Sequence, residues 1–208
     1  MTTLVVLAKE CLPGRVKTRL HPPLSLVDAA RLAAASLDAT LEAARLVPAD
    51  RHVLCFDGRP PASADGFDVL PQVPGPLDVR LAACFDALEG RSLLIGMDTP
   101  QVDPRVLRSV LEDGSDADAW FGPADDGGFW ALGLDEPRGD LLRGVPMSRA
   151  DTGALQRRRL EAAGLRVRTL PVLTDVDTVD AALDVAALLP GSRFSALLAA
   201  TAPVAVPA

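Results

Sequence analysis

Four cations crowd into one short stretch near the start of the chain: Lys9, Arg15, Lys17 and Arg19, with only Glu10 set against them. The stretch reads Lys9-Glu10-Cys11-Leu12-Pro13-Gly14-Arg15-Val16-Lys17-Thr18-Arg19-Leu20. It forms an island of positive charge in a chain whose formal net charge is −7. Lys9 and Lys17 are the only two lysines; every other permanent side-chain cation is an arginine. Such an island suits a phosphate or diphosphate, and Gly14 would let the backbone approach that anion closely. Alternatively, it is a solvated basic loop. It is not a Walker loop: Lys17-Thr18 fits, but Val16 stands where the glycine before the lysine belongs. No Gly-x-Gly-x-x-Gly fingerprint occurs, which disfavours a dinucleotide-dependent dehydrogenase.

Three acidic motifs follow. In Leu93-Leu94-Ile95-Gly96-Met97-Asp98-Thr99-Pro100 an aliphatic run ends in a glycine, and Asp98 comes just after it. A carboxylate lifted to the end of a strand can hold Mg²⁺ or Mn²⁺, hard cations that prefer oxygen and neutralise a diphosphate leaving group. It can equally cap a turn fixed by Pro100. In Phe121-Gly122-Pro123-Ala124-Asp125-Asp126-Gly127-Gly128-Phe129-Trp130 the Asp126-Gly127 pair marks a hairpin turn. The paired acids and glycines could also shape a pocket lined by Phe129 and Trp130. In Thr174-Asp175-Val176-Asp177-Thr178-Val179-Asp180 the acids suit a helix N-terminus, or Asp177 is a second metal-binding carboxylate facing Asp98.

Other candidates carry less. Cys11 lies inside the basic loop, where nearby cations could lower its pKa, but no histidine motif accompanies it and a catalytic thiol is not the expectation. His21 and His52 have no catalytic or metal-ligand spacing and read as structural.

The elements that must position these residues alternate. Residues 4–8 and 92–96 are near-continuous aliphatic runs, expected as interior strands of a sheet covered on both faces. Further strands are expected at 52–56, 67–70, 117–121, 128–134 and 166–170. Helices are expected at 24–46, 77–88, 149–163 and 177–189, with another opened by the cap Asp103-Pro104 and running to Leu111. Gly164 reads as the stop of its helix. Strand–helix alternation implies a mostly parallel sheet with helices on both faces, and ligands of such folds bind at the carboxyl edge. Residues 1–190 form one domain on this reading; 191–208 is an Ala/Pro-rich tail, with 202–208 frayed.

Composition sets the outer bounds. The 208 residues suffice for one compact domain with a large core, and 49% hydrophobic content is ordinary for a globular protein. The acidic balance argues against nucleic-acid binding. No apolar run approaches the roughly 20 residues of a membrane span. The absence of a basic leader and the three widely spaced cysteines, Cys11, Cys55 and Cys84, point to reduced thiols in the cytoplasm.

Taken in order, the four motifs resemble those of small bacterial glycosyltransferase-A-like transferases related to phospholactate guanylyltransferase, some assigned to arsenosugar biosynthesis. They are more distantly similar to molybdenum-cofactor guanylyltransferases. The resemblance runs from residue 3 to about 189. It implies an α/β, Rossmann-like nucleotide-diphospho-sugar transferase fold and a divalent metal. Lys9, Gly14, Arg15, Lys17, Thr18 and Arg19 would hold phosphates, and Asp98 and Asp177 the metal. Asp125, Asp126, Gly127 and Gly128 would shape the sugar or acceptor side. Lys17, Asp98 and Asp126 would carry catalysis. Members often carry Ser where Thr99 stands and Tyr in place of Phe129 or Trp130, so a phenol is missing here. The leading expectation is a metal-dependent glycosyltransferase taking a nucleotide-sugar donor. The alternatives are a nucleotidyltransferase that activates a small phosphorylated acceptor, and a non-catalytic nucleotide-binding protein. In each case the partner is a nucleotide or nucleotide-sugar.

Overall fold

Seven strands form one sheet in the order β3-β2-β1-β4-β6-β5-β7 in this computed structural model, which describes residues 1–201. The strands are β1 Thr2–Lys9, β2 Arg51–Asp57, β3 Asp68–Pro71, β4 Arg91–Gly96, β5 Ala119–Pro123, β6 Phe129–Leu134 and β7 Val167–Thr169. All neighbours are parallel except β6, which runs antiparallel to both β4 and β5. The hairpin around Asp126-Gly127 is the cause: it reverses the chain between β5 and β6. The aliphatic runs of β1 and β4 lie side by side in the interior, with Val5 opposite Leu94 and Val6 opposite Ile95. This is where strands apolar on both faces must lie.

The described residues form six helices, of which the first four pack on the sheet: α1 Leu26–Arg45, α2 Leu77–Asp86, α3 Pro104–Leu111, α4 Thr152–Ala162, α5 Val179–Leu188 and α6 Arg193–Thr201. Alternate strand residues face opposite layers, as the two-residue strand period requires. Leu4, Val6, Leu93 and Ile95 pack with Ala33, Leu37 and Leu41 of α1 and Leu107 of α3. Val5, Leu94, Phe121 and Leu132 pack on the other face with Leu81 and Phe85 of α2 and Leu160 of α4.

The expected Ala/Pro-rich tail is the main correction. After residue 190 the chain forms α6, whose Phe194 and Leu198 are buried with Leu32 of α1 and Val185 of α5. Arg193 ties α6 to α1 through Asp38 at 2.8 Å. The physical reason lies in α1, which is apolar on two sides. One side meets the sheet, and the other needs α5 and α6 as a third layer. Residues 202–208, expected to fray, lie outside the described residues.

Smaller differences sit at element ends. The helix expected from Asp177 begins at Val179, capped by the Thr178 side chain, which accepts from the Ala181 N–H. Asp177 therefore precedes the helix. The helix expected from Arg149 begins at Thr152, and Gly128 belongs to the turn before β6. Asp103 caps α3 as expected, accepting from the Arg105 N–H, and Gly164 follows α4 with φ +79°. Among the described residues no helix is long and apolar enough to cross a membrane.

Asp113, just past α3, pins the sheet's outer strands. Its buried carboxylate accepts from the Ser115 N–H, from Trp120 Nε1 on β5 at 2.8 Å and from Arg168 on β7 at 2.9 Å. Burial alone would push this carboxyl up; these donors outweigh it and hold it at about 2. A depressed carboxyl stabilises the fold above the ordinary aspartate range and loses that contribution as pH falls through about 2. Asp113→Asn is expected to cost about 2 kcal/mol at neutral pH, because hydrogen bonds to a charged group are lost. Denaturant unfolding from pH 7 to pH 2 should show the two proteins converging in acid. A constant gap between them would disprove this assignment.

Candidate active site

The basic loop leaves β1 at its carboxyl end and is anchored at two points. Val16 is 2% exposed and Leu20 0%; Val16 enters the core between the sheet and α1, and Leu20 the layer under α5 and α6. This explains Val16 where a Walker loop would need glycine: the position is a core anchor. Lys17, between the anchors, adopts a left-handed conformation with φ 50°. A lysine there costs roughly 1–2 kcal/mol, and its ion pairs offset that cost.

The ammonium of Lys17 lies 2.7 Å from Oδ1 of Asp98 and 2.7 Å from Oδ1 of Asp177, with its side chain only 5% exposed. Arg19 takes the other oxygen of Asp177 at 2.6 Å. Burial works against the charge of Lys17, but the two carboxylates overcome it and raise its pKa above the ordinary amine value. Burial likewise opposes ionisation of Asp177, and Lys17, Arg19 and Lys9 hold its pKa below the ordinary value.

Asp98 follows β4, between the buried Met97 and Thr99. Ser36 on α1 donates to the Met97 carbonyl at 2.7 Å, fixing the turn from the helix side. The Asp98 carbonyl accepts from the Val176 N–H at 2.9 Å. Val176 is buried in the outer layer, and this bond brings its two acidic neighbours beside the end of β4. The side chain of Asp98 thus meets Lys17 rather than capping its own turn.

A cleft of about 730 Å³ surrounds this cluster. It gathers Lys9, Arg15, Lys17, Thr18, Arg19, Asp98, Asp126, Gly128 and Asp177 from the sequence candidates, with Phe129 and Trp130 in its wall. Its size falls in the range of small-molecule sites. Gly14 and Gly127 do not line it. Gly14 sits at an exposed turn with φ +76°, so its freedom serves the loop's bend rather than contact within the cleft. Asp125 is also outside it: the Asp125 N–H donates to the Leu173 carbonyl, and its carboxylate accepts from the Thr174 hydroxyl.

Asp126 reaches the cleft while its Oδ1 accepts from the Gly128 N–H at 2.8 Å. Gly127 locks the turn against the segment before α4. Its φ is +88°, its carbonyl accepts from the Gly153 N–H, and a Cβ would stand 1.9 Å from the Ala150 carbonyl oxygen. Gly127→Ala is expected to cost about 3 kcal/mol from overpacking and a left-handed backbone. Gly144→Ala is its control: φ is +79°, but a Cβ there meets nothing within 4 Å, leaving only the backbone cost of roughly 1 kcal/mol. Equal losses for the two variants in thermal unfolding would contradict this role.

Several cleft residues escaped the sequence reading. Gln72, just after β3, donates to the carbonyls of Ala8 and Cys55 and accepts from Arg80 at 3.0 Å, so it braces that guanidinium in the cleft wall. Met147, Ser148 and Arg149 line the cleft beside the Gly127 turn. Asp175 also lines it, and its carboxyl is pushed up to about 7 by burial and by the fields of Asp98 and Asp126, with Lys17 pulling the other way. The alternation Asp175-Val176-Asp177 was the available signal, since a buried Val176 turns both neighbours outward. A group titrating near neutrality can take up and release a proton at working pH.

Cys11 is not an activated thiol: burial first, then Asp98 and Asp38, raise it to about 11 despite Lys17 and Lys9. The histidines are structural, as expected: His52 Nε2 lies 3.0 Å from the Ala44 carbonyl, and His21 Nδ1 lies 2.7 Å from that of Leu24.

The fold is one shared with solved transferases of the nucleotide-using class, and the cleft lies at the carboxyl edge of its sheet. Solved structures share the fold. A candidate nucleotide-diphospho-sugar transferase from Desulfovibrio desulfuricans G20 superposes with a TM-score of 0.81 at 25% identity, over 96% of this chain and 94% of that one. Rv0371c from Mycobacterium tuberculosis H37Rv, in complex with manganese, superposes at 0.56 and 24% identity, over 88% and 97%. CMP:2-keto-3-deoxy-manno-octonic acid synthetase, complexed with CTP, superposes at 0.55 and 15%, over 90% and 98%. No curated protein sequence matches the chain. Residues 30–149 match the model of DUF2064, described as an uncharacterized protein conserved in bacteria, and the chain belongs to that family.

Proposed function

We propose that this protein is a divalent-metal-dependent glycosyltransferase whose donor is a nucleotide-diphospho-sugar. One observation carries the reading: Lys17, Asp98 and Asp177, drawn from three distant motifs, converge in one cleft at the carboxyl ends of β1 and β4. Ligands of open α/β sheets bind at that edge. The likeness to the Desulfovibrio protein supports the choice of donor.

The carboxylates suit a hard cation. The Lys17 ammonium already stands between one oxygen of each, so the pair accommodates a shared positive charge. Asp98 and Asp177 would hold Mg²⁺ or Mn²⁺, and the manganese in the Rv0371c complex supports the use of a divalent ion. Such an ion, when bound, neutralises charge developing on a diphosphate leaving group.

Lys9 and Arg15 would meet the same charge from the loop side, and Lys17 would join them as a third cation. Thr18 and Arg19 flank them. Asp126 and Gly128 would face the transferred sugar or its acceptor. Asp175 lines the same cleft beside them.

A second reading is nucleotidyl transfer from a nucleoside triphosphate to a small phosphorylated acceptor, as in the guanylyltransferases the motifs resemble. The cation excess of the loop favours it, since a triphosphate carries more charge than a diphosphate sugar.

The test is a panel of nucleoside triphosphates and nucleotide-sugars with Mn²⁺, first by thermal stabilisation and then by product. A ligand at 100 times its Kd adds roughly 2.7 kcal/mol. Release of nucleoside diphosphate supports glycosyl transfer, and release of pyrophosphate supports the second reading. Stabilisation without turnover of any acceptor tested would mark a binding protein and reject both.

A further inference from the structure

We propose that Lys17 is the resident counter-ion of the Asp98–Asp177 pair, and that a divalent cation takes the pair only by displacing it, which delivers the ammonium to the substrate's phosphates. The inference rests on the metal-dependent reading above and adds to it a coupling between the two ligands.

The geometry supplies the exchange. Asp98 and Asp177 each offer Oδ1 to the same Nζ at 2.7 Å, and the side chain of Lys17 is almost fully enclosed. The second oxygen of Asp177 is engaged by Arg19, so the oxygens turned to Lys17 are those a shared cation would use. A doubly charged ion and an ammonium cannot both occupy that space: their repulsion at such separations is large in a partly desolvated site. One must leave, and Lys17 has the means. Its four-carbon stem is flexible, and its compact ammonium can pass from two carboxylate oxygens to phosphate oxygens, where a planar guanidinium would need a new fork geometry. In a chain whose other permanent side-chain cations are arginines apart from Lys9, this position carries lysine.

Two consequences follow by linkage. Lys17 weakens the site for metal alone, because the ion must first break two ion pairs. Metal and phosphate then favour each other, since each stabilises the displaced arrangement, and the coupling is reciprocal.

The experiment titrates Mn²⁺ alone, with no nucleotide, into wild type, Lys17→Met and Asp98→Asn, reading free Mn²⁺ by electron paramagnetic resonance. Lys17→Met is expected to bind Mn²⁺ about tenfold more tightly than wild type, within the usual range of coupling energies. Unchanged or weaker binding by Lys17→Met, with Asp98→Asn losing the ion, overturns the counter-ion role and leaves the metal site standing. Equal Mn²⁺ binding by Asp98→Asn and wild type removes the metal site, and the functional reading falls with it. Should Lys17→Met not fold, the wild type decides. With only two lysines, reductive methylation can be followed residue by residue. Saturating Mg²⁺ is expected to raise the rate at Lys17 about tenfold relative to Lys9 as the side chain is freed, and an unchanged ratio overturns the inference.

Discussion

Replacing Asp98 by Asn is expected to abolish turnover while leaving the protein folded. Asn keeps the size of the side chain and one acceptor oxygen for Lys17, and removes its charge. A bound divalent ion contributes several kcal/mol of charge stabilisation in the transition state, so the loss should be about a thousandfold or more. The fold should tolerate the change. Asp98 is held by the Ser36 bond to the neighbouring carbonyl and by the backbone bond from Val176, neither of which needs a carboxylate. Lys17 keeps Asp177 as a partner. Circular dichroism and thermal unfolding therefore serve as controls, and turnover against Mn²⁺ concentration is the readout. An Asp98→Asn protein that turns over normally with an unchanged metal requirement would rule the metal role out.

Lys17→Ala should weaken binding of phosphate-bearing nucleotides by about 10- to 150-fold, the equivalent of one hydrogen bond to a charged group. The loss should appear for nucleoside di- and triphosphates and be nearly absent for the bare nucleoside. Lys17→Arg should restore only part, since its fork is longer and aimed differently from a point ammonium. Calorimetry at fixed salt and saturating Mn²⁺ is the measurement. Equal affinities of wild type and Lys17→Ala for every nucleotide would count decisively against phosphate binding by the loop.

Much of the fold was legible because burial on two faces leaves a plain pattern. Leu4-Val5-Val6-Leu7-Ala8 and Leu93-Leu94-Ile95 admit few positions other than the middle of a parallel sheet. The hairpin at Asp126-Gly127 and the cap at Asp103 were local chemistry and came out as expected. Less visible was anything set by a distant partner. The helical spacing of Phe194 and Leu198 was present in the sequence, but its need came from the second apolar side of α1. The state of Cys11 was likewise open beside Lys9 and Lys17; burial and the carboxylates of Asp98 and Asp38, remote in sequence, decided it.

The sequence by itself determined the layered α/β class, the interior places of β1 and β4, and a basic loop at the carboxyl end of the first strand. Those follow from composition and periodicity, which act over a few residues. Tertiary structure alone decided that Lys17 lies between Asp98 and Asp177, that Asp175 joins them in the cleft, and that Gly127 serves packing against Ala150 rather than contact within the cleft. The reason is electrostatic and steric: a charge's role depends on which opposite charges fold to within about 4 Å of it. Those partners lie far apart along the chain and meet only when the sheet closes.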